Sequence, residues 1–248
     1  MELQEILDCA IQVGYELSTS GAEIYRVEQS IFFICEAYGV SDVHVFAIPS
    51  SIVVTVSDGA EFLTRTKRVT THSTNLDRVE RLTDLSRMLC QEKPSYQVAL
   101  QKLQEIRQRP FYSNLSRYLA GMLVGFSFAL FFGGEFPDAL LALGIGGLVV
   151  WLMDFLEGLH TNSFFINVIC GFFAALLAYW PASCVPWLHA DKVIIGVIMI
   201  LVPGLAIANS MRDFMASDTV AGISRITDAL LTAVGIALGV ALAMMVVF

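Results

Sequence analysis

The stretch that decides the fold runs Val193-Ile194-Ile195-Gly196-Val197-Ile198-Met199-Ile200-Leu201-Val202-Pro203-Gly204-Leu205-Ala206-Ile207-Ala208-Asn209-Ser210-Met211. It is nineteen residues without a charge, followed at once by Arg212-Asp213. A helix of that length crosses a hydrocarbon core of ~30 Å, which takes ~20 residues at ~1.5 Å each. Pro203 removes a backbone donor and clashes with the preceding turn, and Gly204 adds flexibility. The expectation is a bent or broken helix whose freed backbone groups are satisfied by protein or by a wet cavity. Discontinuous helices flanked by ionisable residues build solute sites in transporters, so this stretch points to transport.

Charge divides the chain around that reading. Residues 1–110 carry 11 Lys/Arg and 15 Asp/Glu, whereas residues 111–248 carry 4 and 8. The first part reads as an ordinary charged domain large enough to bury a core. The second is too poor in charge for water to be its solvent. The net charge of −8 falls equally on both parts, so no basic surface suggests nucleic acid. The start, Met1-Glu2-Leu3-Gln4-Glu5, lacks the basic-then-apolar order of a signal peptide, and the first domain is expected to stay in the cytoplasm. Five scattered cysteines, Cys9, Cys35, Cys90, Cys170 and Cys184, form no C-x-x-C pair and read as reduced structural thiols.

In the charged part, Leu3, Ile6, Leu7, Ala10, Ile11, Gly14 and Leu17 recur at helical spacing. Ser20-Gly21-Ala22-Glu23 matches a capping box opening a second helix through Ile24, Val27, Ile31, Ile34 and Cys35 that stops near Gly39. Strands are expected at Val43–Ile48, Ile52–Ser57 and Glu61–Val69, with Asp58-Gly59 as a turn. Helices follow at Asn75–Gln91 and Ser95–Gln108, ended by Pro110. The order helix, helix, three strands, helix, helix makes a small α+β domain. Arg65, Lys67 and Arg68 suit a cationic site for a carboxylate, and Glu23 and Arg26 join Arg65 and Arg68 as a possible site of the cytoplasmic domain; the plainer expectation for the strand is a solvated face. His44, Ser50, Ser51 and His72 have the residue types of a hydrolase, but no G-x-S-x-G elbow frames them. No Walker loop, dinucleotide fingerprint or metal-ligand motif is present, so no enzyme, cofactor or metal is implied.

The second part reads as five spans, about 118–134, 138–157, 162–180, 193–211 and 229–248, with Pro181 and Pro186 marking a loop after the third. The fold class is thus an α-helical integral membrane protein of five transmembrane helices, one broken at Pro203-Gly204, carrying an N-terminal cytoplasmic α+β domain. The expected domains are 1–110 and 111–248. Lys102, Arg107, Arg109 and Arg117 before the first span put the N-terminus inside, and an odd count puts the C-terminus outside. Arg212 and Arg225 agree with this topology; Lys192 alone opposes it. Gly144, Gly146, Gly147, Gly235 and Gly239 are expected to let helices approach closely, and Trp151, Trp180 and Trp187 to anchor at interfaces. Ionisable residues in or beside spans, Asp154, Glu157, Arg212, Asp213, Asp218, Arg225 and Asp228, are costly there and mark function. Arg212 suits bidentate capture of a carboxylate. Asp213 or Asp228 suits a counter-ion or a proton carrier, and Asp228, one turn past Arg225, is placed to pair with it. Asp218 reads equally well as a charge in a cytoplasmic loop.

Two segments carry a resemblance. Val202-Pro203-Gly204 through Arg212-Asp213, followed by Asp218, Gly222, Arg225 and Ala229, resembles the PG…RD…GD…G…R…A stretch of the threonine/serine exporter (ThrE-type) family. Ser20-Gly21-Ala22-Glu23-Ile24-Tyr25-Arg26-Val27-Glu28 resembles its SGAE-x-x-R-V-E signature. Thr66-x-x-Val69, Asn75-Leu76 and Leu85-Ser86-Arg87 fall in the same order; one departure is Ser217-Asp218, where Gly-Asp is usual. The resemblance implies a plasma (inner) membrane exporter of small polar solutes driven by an ion gradient. Long members are similar to this chain fused to a second membrane unit. Short members resemble one subunit of a two-component system with a separate membrane protein of about 150 residues. Fused relatives are associated with threonine and serine, split ones with dicarboxylates such as succinate. The expected solute site is Pro203, Gly204, Asn209, Arg212 and Asp213, with Asp154, Asp218, Arg225 and Asp228 as coupling or ion-pair candidates. The other function classes are a membrane-anchored ligand sensor or scaffold, and a membrane-bound hydrolase; a plain anchor needs neither a broken helix nor intramembrane charge. A bilayer, a small solute, a second small membrane subunit and copies of the chain itself are the expected partners.

Overall fold

The computed structural model describes residues 1–59, 61–70, 73–109 and 112–247. The chain forms two compact units, Met1–Arg109 with Ile207–Ile226, and Pro110–Ala206 with Thr227–Phe248. The first unit therefore takes in twenty residues from the far end of the sequence. Pro110, the expected boundary, lies outside the described residues.

In the first unit, α1 (Leu3–Thr19) and α2 (Ile24–Ala37) are amphipathic and bury Leu7, Val13, Leu17, Ile24, Val27, Ile31 and Ile34 almost completely. Each such side chain contributes roughly 1.5–3 kcal/mol of burial. The expected capping box is not made. Ser20 instead closes α1, its hydroxyl buried without a hydrogen-bond partner among the described residues, and Glu23 is the N-cap residue of α2 with no side-chain cap bond among them. The cause is Gly21, whose φ of +89° turns the chain before α2 can start. Three strands, β1 (Asp42–Ile48), β2 (Ser51–Ser57) and β3 (Phe62–Arg68), form an antiparallel sheet in the order β1-β2-β3. Ile52, Val54 and Val56 lie on its buried face, level with Ala47, Val45 and Val43 on β1 and with Lys67, Arg65 and Leu63 on β3. Two cations expected on a solvated face thus sit on the side toward α1. Lys67 Nζ stands 4.9 Å over the Tyr15 ring, and Arg65 pairs with Asp8. Their long aliphatic stems let them cover apolar surface while the charged ends find partners. Helix α3 (Leu76–Glu92), capped by Asn75 on the Arg78 amide at 3.0 Å, and α4 (Tyr96–Gln108) complete the core. Ala221 is part of that same core.

The second unit contains α5 (Asn114–Phe131), α6 (Phe136–Gly158), α7 (Ser163–Cys184), α8 (Ala190–Ile198) and the greater part of α10 (Thr219–Val247). By length and composition α5, α6, α7 and α10 are apolar and long enough to cross a membrane. Small residues set the packing. A Cβ on Gly125 would lie 2.6 Å from the Ala142 carbonyl oxygen, and one on Gly146 2.7 Å from that of Gly121. Gly147, Gly235 and Gly239 are similarly crowded, as expected, but Gly144 has nothing within 4 Å. Two residues before Gly146 on a helix, it is turned about 200° away from the contact. Pro181 does not end α7, which runs one turn further; the Val185 amide closes it on the Pro181 carbonyl. A proline so near a helix end removes only one backbone bond.

The expected span 193–211 is two short helices, α8 and α9 (Gly204–Met215), separated by Met199–Pro203. At ~1.5 Å per residue they measure about 14 and 18 Å, well short of the ~30 Å of a hydrocarbon core. Four span-length helices are therefore present among the described residues, where five spans were expected. Pro203 accounts for the break, since it cannot donate to the preceding turn and disfavours helical geometry at Val202. Helix α9 from Ile207 onward belongs to the first unit, where Asn209, Ser210 and Asp213 are buried. Helix α10 also begins ten residues earlier than expected, at Thr219 rather than Ala229. Between α9 and α10, Ser217 takes φ +69°, a left-handed conformation that costs a side-chain-bearing residue ~1–2 kcal/mol. Ser217→Gly relieves that cost less ~0.5–1 kcal/mol of chain entropy. We expect a net gain of about 0.5–1 kcal/mol, read as a higher midpoint of thermal unfolding in detergent.

Candidate functional site

The loop between α1 and α2 presents backbone carbonyls that neither helix uses. Three side chains from α9 and α10 bind three successive residues of it. Asn209 Nδ2 donates to the Gly21 oxygen at 3.2 Å, Arg225 Nη2 to the Ala22 oxygen at 2.7 Å, and Arg212 Nη1 to Glu23 Oε1 at 2.7 Å. Asn209, Arg212 and Asp213 share one face of α9 because their spacings are three and four residues. Arg225 Nε also lies 3.0 Å from Asp213 Oδ2, and the second oxygen of Glu23 is 3.2 Å from Arg26 Nε. Asp213 is wholly buried and Glu23 nearly so, whereas Arg212 keeps 58% of its side chain exposed. The whole clasp lies within the first unit.

Its electrostatics are unbalanced toward acid. Glu28 accepts the Ala47 amide at 2.7 Å. Burial raises its carboxyl above the ordinary value; the Ala47 bond opposes this, and the negative charge of Asp218 adds to it. Burial likewise raises Asp213, against the pull of Arg225 and the Ile24 amide, with Asp218 and Glu23 pushing further. Four carboxylates (Glu23, Glu28, Asp213 and Asp218) thus face three guanidiniums (Arg26, Arg212 and Arg225). Such a cluster holds a proton or a cationic group more readily than isolated carboxylates do.

Of the residues singled out in the sequence, Glu23, Arg26, Asn209, Arg212, Asp213, Asp218 and Arg225 are brought together. Pro203 and Gly204 mark the end of the helix break and belong to the second unit. Asp154 pairs with Arg117 at 2.5 Å, so an arginine read as a topology signal neutralises a carboxylate within the second unit. Arg225 is engaged by Asp213 rather than by Asp228; Asp228 is exposed and makes no ion pair among the described residues. Arg65 is held by Asp8, and Arg68 is exposed at the end of β3. Ser50 and Ser51 sit at the β1–β2 turn, His44 pairs with Asp42 at 3.1 Å, and His72 lies outside the described residues. Sequence reasoning missed Asp138, fully buried at the start of α6. It accepts the Glu135 and His189 amides at 2.8 Å each and stands 3.0 Å from His189 Nδ1. Its one signal is an acidic residue directly after Pro137 at a helix start.

The clasp thus joins the two segments that carry the sequence resemblance. A family model described as "Putative threonine/serine exporter" matches residues 8–247. The chain belongs to the threonine/serine exporter family. Among curated relatives, the "Probable threonine/serine exporter" of Mycobacterium tuberculosis is 24% identical over 245 residues, covering 97% of this chain and 46% of that protein. The "Threonine/serine exporter" of Corynebacterium glutamicum is 25% identical over 252 residues, covering 96% of this chain and 50% of that protein. The chain therefore spans about half the length of these relatives of the threonine/serine exporter family. No solved structure matches it. Family and apolar helices together support a membrane-embedded protein.

Two outcomes test the clasp and the strand beside α1. Arg225→Ala leaves the buried Asp213 carboxylate unpaired and is expected to destabilise the first unit by about 3–5 kcal/mol; adding Asp213→Asn recovers much of the loss. Thermal unfolding of single and double variants measures both. On α1, burial pushes the Asp8 carboxyl up, but its bonds with Tyr96, Gln12 and Arg65 outweigh this and hold it below the ordinary value. A carboxyl depressed on folding binds fewer protons than in the unfolded chain. Its stabilisation is therefore complete above about pH 4 and lost as pH falls through the depressed value. Asp8→Asn should flatten the acid limb of the unfolding midpoint against pH.

Proposed function

We propose that the protein is an exporter subunit for a small polar solute and that Arg212 is the residue the solute's carboxylate competes for. The Arg212–Glu23 ion pair carries this reading. Arg212 is half-exposed while paired, and its planar fork has further donors than the one Glu23 uses. An incoming carboxylate replaces Glu23 in a bidentate contact, which loosens the clasp, and departure of the solute restores it. Asn209 and Asp213 shape the same face of α9. The break at Met199–Pro203, ending at Pro203-Gly204, supplies backbone polar groups and a helix start of the kind that transporters use to hold solutes.

Threonine and serine are the favoured solutes, after the printed names of the relatives; a dicarboxylate such as succinate is the second. Coupling is to protons, with Asp213 as the group that binds one when Arg225 withdraws, a role supported by its burial and raised carboxyl. Helix α8, with the break, completes a fifth crossing between α7 and α10. The first unit is cytoplasmic and the C-terminus extracytoplasmic. The chain spans about half the length of its relatives, and a second membrane unit, of about 150 residues in the split members that this chain resembles, or a second copy of this chain supplies the other half of the pathway.

Efflux from cells loaded with labelled threonine, serine or succinate tests the reading. Arg212→Ala should abolish efflux with membrane levels unchanged. Retained efflux in Arg212→Ala would remove Arg212 from the solute path.

A further inference from the structure

A groove of about 780 Å³ lies between α2 and α3 in the first unit, within the ~300–1,000 Å³ usual for small-molecule sites. Its lining is chemically graded. Arg26 stands toward one end, Arg87 and Ser86 come from α3, and Glu36 and Cys90 lie toward the other end. Ser86 is more than nine-tenths buried and contributes to the groove wall. A hydroxyl on a groove wall can both donate to and accept from a ligand or an ordered water. Arg87 is engaged only by a long 3.7 Å contact with Asp84, both side chains largely exposed, a pair worth little in water. Glu36 makes no ion pair among the described residues. Arg26, Ser86 and Arg87 all belong to the segments quoted for the family resemblance.

Two guanidiniums, a hydroxyl and a separate carboxylate suit one kind of ligand. We propose that the groove binds a small zwitterionic amino acid, its carboxylate held by Arg26 and Arg87 with the Ser86 hydroxyl, and its ammonium group by Glu36. This deepens the exporter reading, on which the choice of an amino acid over other zwitterions rests. The site touches the clasp through one residue. Arg26 holds Glu23 Oε2 while Arg212 holds Glu23 Oε1. A ligand carboxylate on Arg26 therefore competes with Glu23 and alters how firmly Glu23 holds Arg212. The groove senses the solute that the exporter carries.

Cys90 gives a readout confined to the groove. Burial and the charge of Glu36 raise its thiol above the ordinary value, so alkylation of the purified full chain in detergent is run at alkaline pH and scored peptide by peptide. Saturating threonine or serine should slow labelling of Cys90 about tenfold and leave the exposed Cys184 unchanged. Arg87→Ala, at an exposed position, should raise the concentration needed by roughly tenfold or more, the loss of a charge-assisted hydrogen bond. Glu36→Gln should weaken amino acids while sparing succinate. Absent protection, protection unaltered by Arg87→Ala and by Arg87→Gln, or equal protection by succinate would each overturn the proposal. Threonine efflux without Cys90 protection sinks the groove and leaves the exporter reading standing. Protection without amino-acid efflux does the reverse.

Discussion

The arrangement of the first unit depends on a single guanidinium. Arg225 reaches the Ala22 carbonyl and the Asp213 carboxylate together, and only 14% of it is exposed. Without it, a buried carboxylate on α9 has no counter-charge and a loop carbonyl has no donor, each costly in a poorly hydrated place. Asn209 and Arg212 then have a defined loop to bind, and Ala221 has a core to enter. One charged group thus decides whether the segment Ile207–Ile226 joins the N-terminal helices or remains an amphipathic connector. Its neighbours are arranged so that the decision is close. Acidic groups exceed basic ones, and one of the three arginines is largely open to water.

The two units obey different packing rules because they have different solvents. In the first, branched apolar side chains fill the space between helices and sheet, and Asn, Glu and Arg appear inside only where partners meet them. In the second, close approach of backbones at Gly121, Gly125, Gly146 and Gly239 replaces bulky interdigitation. Lipid offers no hydrophobic drive between helices, so contact area and short backbone distances are what remain. The ion pair Arg117–Asp154 and the Asp138–His189 pair follow the same logic, each charge being met within the unit.

Much of the secondary structure was legible. Helices α1 to α4 and all three strands follow from apolar spacing and turn residues, signals that are local in the chain. Among the long apolar helices, composition alone was enough. The misreadings have one physical origin. Ser20 and Glu23 have the right types for a capping box, but the box is prevented by a backbone turn at Gly21. Val193–Met211 has the length of a span, but its last residues contact a domain almost two hundred positions earlier. Backbone carbonyls at Gly21 and Ala22 are the acceptors there, and a carbonyl has no letter in the sequence. The clasp residues Glu23, Arg26, Asn209, Arg212, Asp213 and Arg225 were all identifiable by type; that they form one cluster was not, since nothing local links them.

The discontinuous first unit has a consequence for how the protein is made. Residues 1–109 leave the ribosome well before their partners, with about 100 residues of the apolar unit still to follow. At ~5–20 residues per second the wait is roughly 5–20 s. Throughout it the α1–α2 loop has bare carbonyls, Glu23 lacks one of its arginines, and the place of Ala221 in the core is empty. The nascent domain is thus an incomplete body that closes only after the apolar helices preceding Ile207 have been synthesised, which orders biogenesis from the membrane-destined segment back to the domain that emerged first.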